Sequence, residues 1–425
     1  MSAISIRNIK KVTPEQVFML SVIIVNGGNY LFNLLLGRML GPVKFSDAAV
    51  LITLLLIFSF IGMTFQLVTA KFSASLEDGV VKYLIHYIYK KALWIGIIIG
   101  GCMIIFSGQL QILLNTSSYL MFVIFGAGVP IYFFMSVNRG FYQGGQNFKN
   151  LSLTYQSEMI VRLLFTLTII YLLDFDSSIL VAFGIFISLL AGLVPFKKRL
   201  FKFDTSSLKK SMSTRHLKKF FFITASYELT QIIINNSDIL LVKHYFEAYE
   251  AGLYASLALI GRVVYFVAWM FVMLLLPTVV KLKKEGKETT HVLFKYLIYI
   301  TGLASAIVLA CLWFPELAIN MLFGDSYLTM APLLWKYALA TGLFALSNIF
   351  AYYFLSIDDY LPVIFSGLFG LLQVGLVILY HNDLNEVVIM QVVAMVILLL
   401  VQLFYFYVKT QRDRNKKFNS SIKTF

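Results

Sequence analysis

The sequence predicts an all-α polytopic membrane protein, with twelve transmembrane helices in two six-helix bundles related by a pseudo-two-fold axis along the membrane normal. Three observations predict it. Of 425 residues, 59% are hydrophobic and 13% charged, against roughly 25% charged in a soluble globular domain. The apolar residues fall in runs near the length of about 20 that a helix needs to cross a bilayer. They are too continuous for the alternating strands of a membrane barrel. Basic residues also segregate: most of the 35 Lys and Arg lie in segments on one side of the predicted spans, against Arg38, Lys44 and Lys243 on the other. That asymmetry puts both termini in the cytoplasm.

The spans follow in order. Val17–Met39 is preceded by Arg7, Lys10 and Lys11 and lacks a small-residue cleavage site, so it is expected to be kept as a membrane helix. Ala48–Ala70 is next. Ala92–Ser107 is short, and the amphipathic stretch Val81–Lys91 extends it into the headgroups. Tyr119–Val137 contains Pro130, and Leu153–Leu173 and Ile179–Phe196 complete the first six. The second six are Phe220–Val242, Leu253–Val280, Val292–Phe314, Leu333–Leu355, Leu361–Tyr380 and Val387–Val408. Gly27-Gly28, Gly100-Gly101 and Pro130 are permitted kinks or close helix contacts.

A basic loop, residues 197–219, separates an N-terminal bundle (1–196) from a C-terminal one (220–408), and a basic tail (409–425) is expected to be disordered. A weak repeat supports the division, because Leu40–Ala48 aligns with Phe246–Tyr254 and Asn29 with Asn235. Six spans per half give parallel repeats, the plan of a transporter with a midplane cavity. The formal charge of +14 is read as topology and as attraction of anionic lipids to cytoplasmic loops, not as nucleic-acid binding. Cys102 and Cys311 lie in apolar runs and are read as small buried hydrophobes. Walker A, HExxH and dinucleotide motifs are absent. No enzyme, cofactor or metal is expected.

Ionisable residues inside spans need a partner or a wet cavity, at about 2.5 to 3.5 kcal/mol each. Arg162 lies about 14 Å into the fifth span at 1.5 Å per residue, with Glu158 one turn earlier at the spacing of an ion pair. Arg262, in the eighth span, has no carboxylate within one turn on its own helix, so its partner must be another helix, water or an anionic substrate. Glu228, Gln231, Asn235 and Asp238 form one stripe on the seventh span, and Asn26, Asn29 and Asn33 another on the first. Such stripes glue helices or line a hydrated path, and the path is the preferred reading. Lys336 is expected to snorkel outward.

These residues resemble the polysaccharide flippases of the multidrug/oligosaccharidyl-lipid/polysaccharide exporter superfamily. Gly37-Arg38-Met39-Leu40-Gly41-Pro42-Val43-Lys44-Phe45 is similar to the GRxLGPxxY/F pattern that ends the family's first span. Asp238, Gly252-Leu253-Tyr254 and Arg262 resemble its second-half Asp, GLY and Arg. Arg139-Gly140-Phe141-Tyr142-Gln143-Gly144 resembles its RGxxQG stretch, and Glu158 with Arg162 its fifth-span pair. Ser46, in place of the usual Gly, and Lys243-His244 depart from the pattern.

The resemblance implies a bacterial inner-membrane flippase that moves a polyprenyl-pyrophosphate-linked glycan by alternating access. Arg162, Arg262, Glu158, Asn29, Asn33, Asn235, Gln231 and Arg38 are its expected substrate residues. Asp238 and Glu228 are the candidates for Na+ or H+ coupling. The chemistry agrees, since arginines offset the desolvation of a pyrophosphate and amides suit sugar hydroxyls. The alternatives are a drug or cation antiporter of the same superfamily and, less favoured, a membrane oligosaccharide polymerase. The antiporter would concentrate carboxylates in the spans. The polymerase needs a large outer loop, and the longest here, Pro315–Pro332, carries only Glu316 and Asp325 as charges.

Overall fold

The computed structural model describes residues 14–75, 78–195, 214–357 and 359–422. Among them all regular structure is helical, as the apolar periodicity requires, and the chain is a multi-pass membrane protein. Helix α1 (Pro14–Ser75) carries the first two predicted spans, divided at Gly41, whose φ of 68° is non-helical. Only glycine adopts that conformation freely, and Pro42, without an N–H, suits the start of the next helix.

The third span is α2 (Asp78–Ile105), which absorbs the predicted amphipathic stretch, and a short α3 (Ser107–Leu113) leads to the fourth span, α4 (Leu120–Gly144). The α2 and α4 backbones nearly touch: a Cβ on Gly100 would meet the Gly126 carbonyl, and one on Gly96 the Pro130 backbone. Gly101, by contrast, faces open space. The fifth span is α5 (Phe148–Ile160), a π-helical turn (Val161–Phe165) and α6 (Thr166–Leu172), and the sixth is α7 (Ser177–Ala191).

The second half begins with α8 (Thr214–Tyr245), followed by α9 (Ala248–Gly261) and α10 (Val263–Lys284), which together form the eighth span. Then come α11 (Thr290–Trp313), α12 (Pro315–Leu322), a 3-10 turn (Asp325–Met330), α13 (Ala331–Ser356), α14 (Leu361–Leu379) and α15 (Leu384–Ile422). Each of the twelve predicted spans overlaps a helical segment, the sixth only as far as Ala191, where α7 ends.

The described residues form two compact units. One comprises those up to Asn33, Ile61–Gln111 and Ser118–Ala225; the other comprises Leu34–Phe60, Ile112–Ser117 and those from Ser226 onward. In the first, α4 lies between α2 and α7, and Met121, Phe122, Phe133, Val181 and Ile185 are buried. In the second, α13 packs on α9, α10, α11 and α15 and is buried nearly all round, the signature of a central helix.

Several expectations are corrected. Of the expected loop 197–219, residues 197–213 lie outside the described ones, and 214–219 already belong to α8. The tail is helical to Ile422 instead of disordered. Lys409 on α15 is tied to Asp359, and Gln411, Arg412, Arg414, Lys416 and Lys417 in the sequence that follows are residues of good helix propensity. Cys311 is buried, but Cys102 is exposed on the protein surface. In a membrane helix an apolar residue faces lipid as readily as it faces another helix.

Candidate functional site

Buried polar side chains gather in each unit. In the first, Glu158 on α5 bridges two arginines. Its Oε2 accepts from Arg139 Nη2 at 2.6 Å and its Oε1 from Arg162 Nη2. Relative exposures of 4%, 7% and 8% for Arg139, Glu158 and Arg162 mean that the group is largely desolvated. Arg139 is further fixed by Thr154, whose hydroxyl and carbonyl accept at 3.2 and 2.9 Å, and by the Tyr155 ring at 3.9 Å. Stacking of this kind stabilises a desolvated guanidinium by about 2 kcal/mol. Arg162 donates to Ser188 Oγ and to Asn29 Oδ1, both at 3.4 Å.

Arg162 sits in the π-helical turn, where one extra residue is accommodated without ending the helix; such turns recur at functional sites. The expected i,i+4 pair is therefore present, with a second cation that sequence spacing could not supply. Arg139, which lies just past the predicted fourth span Tyr119–Val137, is a buried residue of α4. Two guanidinium groups against one carboxylate leave the cluster with one positive charge in excess.

In the second unit, Arg262 falls where the eighth span breaks between α9 and α10. The freed Gly261 carbonyl accepts from the Thr341 hydroxyl of α13 at 2.8 Å, which meets the demand for backbone satisfaction within a membrane. Arg262 donates to Asp238 Oδ1 (2.9 Å), Tyr337 Oη (3.2 Å) and Asn236 Oδ1 (3.3 Å). Asp238 Oδ2 also accepts from Tyr337 (2.8 Å), Tyr254 (3.0 Å) and Gln391 (3.3 Å). This network is electroneutral and every guanidinium nitrogen in it has a partner. Of the options open to Arg262 in the sequence, the partner is another helix.

The other predicted residues are more scattered. Asn33 donates its amide to the Asn29 carbonyl, and Asn235 donates to that of Gln231. The buried Gln231 side chain has no hydrogen-bond partner among the described residues. The Glu228 side chain lies outside the described ones. Arg38 is exposed and donates to the Met321 carbonyl at 3.2 Å, and Lys336 is half-buried, donating to Asn385.

A third group, absent from the expected site, is the buried pair Lys243–Asp47 at 2.7 Å. Opposite charges in the two repeat-related turns were its only trace in the sequence.

Comparison with known proteins bears on this geometry. Residues 16–283, more than half of the chain, match the polysaccharide biosynthesis protein family. This chain belongs to that family. A comparison with curated proteins found no match.

Among solved structures, this polysaccharide biosynthesis protein is similar to an inward-facing MATE-family multidrug resistance transporter of the MOP superfamily. The TM-score is 0.72 at 13% identity, over 93% of this chain and 99% of the other. It is equally similar to the lipid II flippase MurJ in an inward closed conformation, again with a TM-score of 0.72 and 13% identity, over 92% and 87% of the two chains. An outward-facing MATE transporter gives 0.55 at 14% identity, over 94% and 96%. At such identities the likeness concerns the fold, which is that of the superfamily named by the sequence resemblance.

Proposed function

We propose that this polysaccharide biosynthesis protein is a flippase of the bacterial inner membrane, with both termini cytoplasmic, that moves a polyprenyl-pyrophosphate-linked glycan between leaflets. The observation that carries this reading is the excess positive charge of the Arg139–Glu158–Arg162 cluster. An uncompensated charge in a desolvated site costs about 3 to 5 kcal/mol, so an arrangement of this kind calls for an anion. A pyrophosphate supplies one, and guanidinium forks match its oxygens. Asn29, bonded to Arg162, and Asn33 one turn further on provide amides that suit sugar hydroxyls.

Arg262 and Asp238 neutralise each other, so their role in this reading is to support the helix break. Coupling to Na+ or H+, and binding of anionic lipids at the basic segments, are further parts of the proposal.

A second reading, a drug or cation antiporter, draws on the equal fold likeness to a multidrug transporter and to a lipid flippase. The cationic cluster favours the anionic substrate. The test is reconstitution of the purified protein in vesicles containing a short polyprenyl-pyrophosphate oligosaccharide, with a membrane-impermeant glycosidase outside. Protein-dependent exposure of the glycan is expected. Export of an organic cation with no glycan movement would replace this reading with the antiporter.

A further inference from the structure

Glu158 and Asp238 are both buried carboxylates paired with arginine, but they are held differently. Asp238 accepts from Arg262, Tyr254, Tyr337 and Gln391. Every hydrogen-bond donor given to Glu158 among the described residues is one of two arginines, each on its own oxygen. The arginines are fixed by other means: Arg139 by Thr154 and the Tyr155 ring, Arg162 by Ser188 and Asn29. Removal of the carboxylate would leave both forks oriented, and it would free one N–H of each Nη2, the other N–H of Arg139 Nη2 staying on the Thr154 carbonyl.

We infer that Arg139 is a further ligand for the anionic headgroup and that the Glu158 carboxylate occupies its place when the site is empty. Glu158 then acts as a competitor built into the chain. This rests on the flippase reading for the identity of the substrate, but the competition concerns only the anion. Two oxygens of one carboxylate, each accepting from a different guanidinium, present the pattern that two oxygens of a phosphate would present.

The substitution is favoured by charge. Glu158 brings one negative charge to two cations and leaves one positive charge over, whereas a diphosphate brings at least two, enough to pair with both guanidinium groups once the carboxylate has swung away from them. Arg162 also touches the half-buried Asn29 on α1, so the glycan would meet the first-span asparagines beside the headgroup. A carboxylate in this position keeps two like charges from facing each other in hydrocarbon while the site is empty, and its single charge lets a diphosphate displace it.

The test is calorimetric titration of the full-length purified protein in detergent with inorganic pyrophosphate, and then with geranyl pyrophosphate. Glu158→Gln is expected to bind at least about tenfold more tightly than the unchanged protein, since a competing charge in contact with both arginines is removed. Arg139→Gln, whose remaining charges cancel, is expected to lose binding. Should Glu158→Gln alone fail to fold, the pair Arg139→Gln and Arg139→Gln/Glu158→Gln decides: the double variant regains binding because Arg162 is free.

Unchanged or weaker binding in folded Glu158→Gln, or no gain in the double variant, overturns the inference. Glycan flipping without this variant pattern would remove the inference and leave the flippase. The pattern without flipping would leave the anion site and remove the flippase.

Discussion

Lys243 Nζ lies 2.7 Å from Asp47 Oδ1 with the lysine 1% exposed, so that one of the chain's most hydrophilic side chains is among its most deeply buried. The pair is completed by the Ser46 hydroxyl, which accepts from Lys243 at 2.6 Å, and by the Ser117 amide, which donates to Asp47 at 2.9 Å. It joins the turn after the first span to the end of the seventh. The two departures from the family pattern, Ser46 and Lys243, therefore account for each other: the serine oxygen receives the lysine.

Removing one partner should be far more damaging than removing both. Lys243→Met or Asp47→Leu alone leaves a buried charge unpaired, at about 3 to 5 kcal/mol. Each should lower the melting temperature in detergent, and the double variant should recover most of the loss. Additive losses in thermal unfolding would show that the pair does not stabilise the turn.

Nearby, the repeat-related segments approach until a Cβ on Gly252 would fall on the Pro42 carbonyl. Backbone cannot move aside as a flexible side chain does, so Gly252→Ala should destabilise by about 1 to 3 kcal/mol through overpacking. Gly101→Ala, facing open space on α2, is the control and should remain folded. Equal melting temperatures for the two variants would contradict this packing.

The Asp238–Arg262 pair should behave as a closed unit. Arg262→Gln leaves the Asp238 carboxylate buried without its cation and should reduce folded yield, at a cost of about 3 to 5 kcal/mol. Asp238→Asn with Arg262→Gln should restore both yield and transport. A well-folded double variant that no longer transports would return Arg262 to the substrate path.

Asp359, in the loop between α13 and α14, gives a pH-dependent prediction. Burial raises its pKa, but hydrogen bonds from Lys409 and Tyr405 outweigh that effect and hold it below the ordinary 3.8. Because the folded value is the lower one, the stabilisation is full above the unfolded value and disappears as pH falls through the folded value. Asp359→Asn should therefore melt lower than the unchanged protein at pH 6, and the two melting temperatures should converge below about pH 3.8. A constant gap down to pH 3 would exclude this linkage.

Orientation can be read directly. A cysteine at Asp325, at the start of the 3-10 turn before α13, should react with a membrane-impermeant thiol reagent in intact cells, and one at Lys287, before α11, should not. The reverse pattern would invert the proposed topology.

The sequence by itself determined the helical class and the twelve spans, because a bilayer permits few ways to bury that much apolar backbone. It also determined the Glu158–Arg162 pair, since i,i+4 geometry is local. Tertiary structure decided what spacing along the chain cannot carry. Arg139 joins Glu158 from another helix, Asp238 meets Arg262 across α8 and the break after α9, and Lys243 reaches Asp47 from a distant turn.

Hydropathy could not tell that Cys102 is exposed while Cys311 is buried, because lipid and protein interior reward the same side chains. The π-helical turn at Arg162 and the break at Arg262 were equally hidden, since the turn contains no proline or glycine and Gly261 at the break is one of many glycines within the predicted spans. They depend on packing and on partners such as Thr341, which only the folded chain brings within hydrogen-bonding distance.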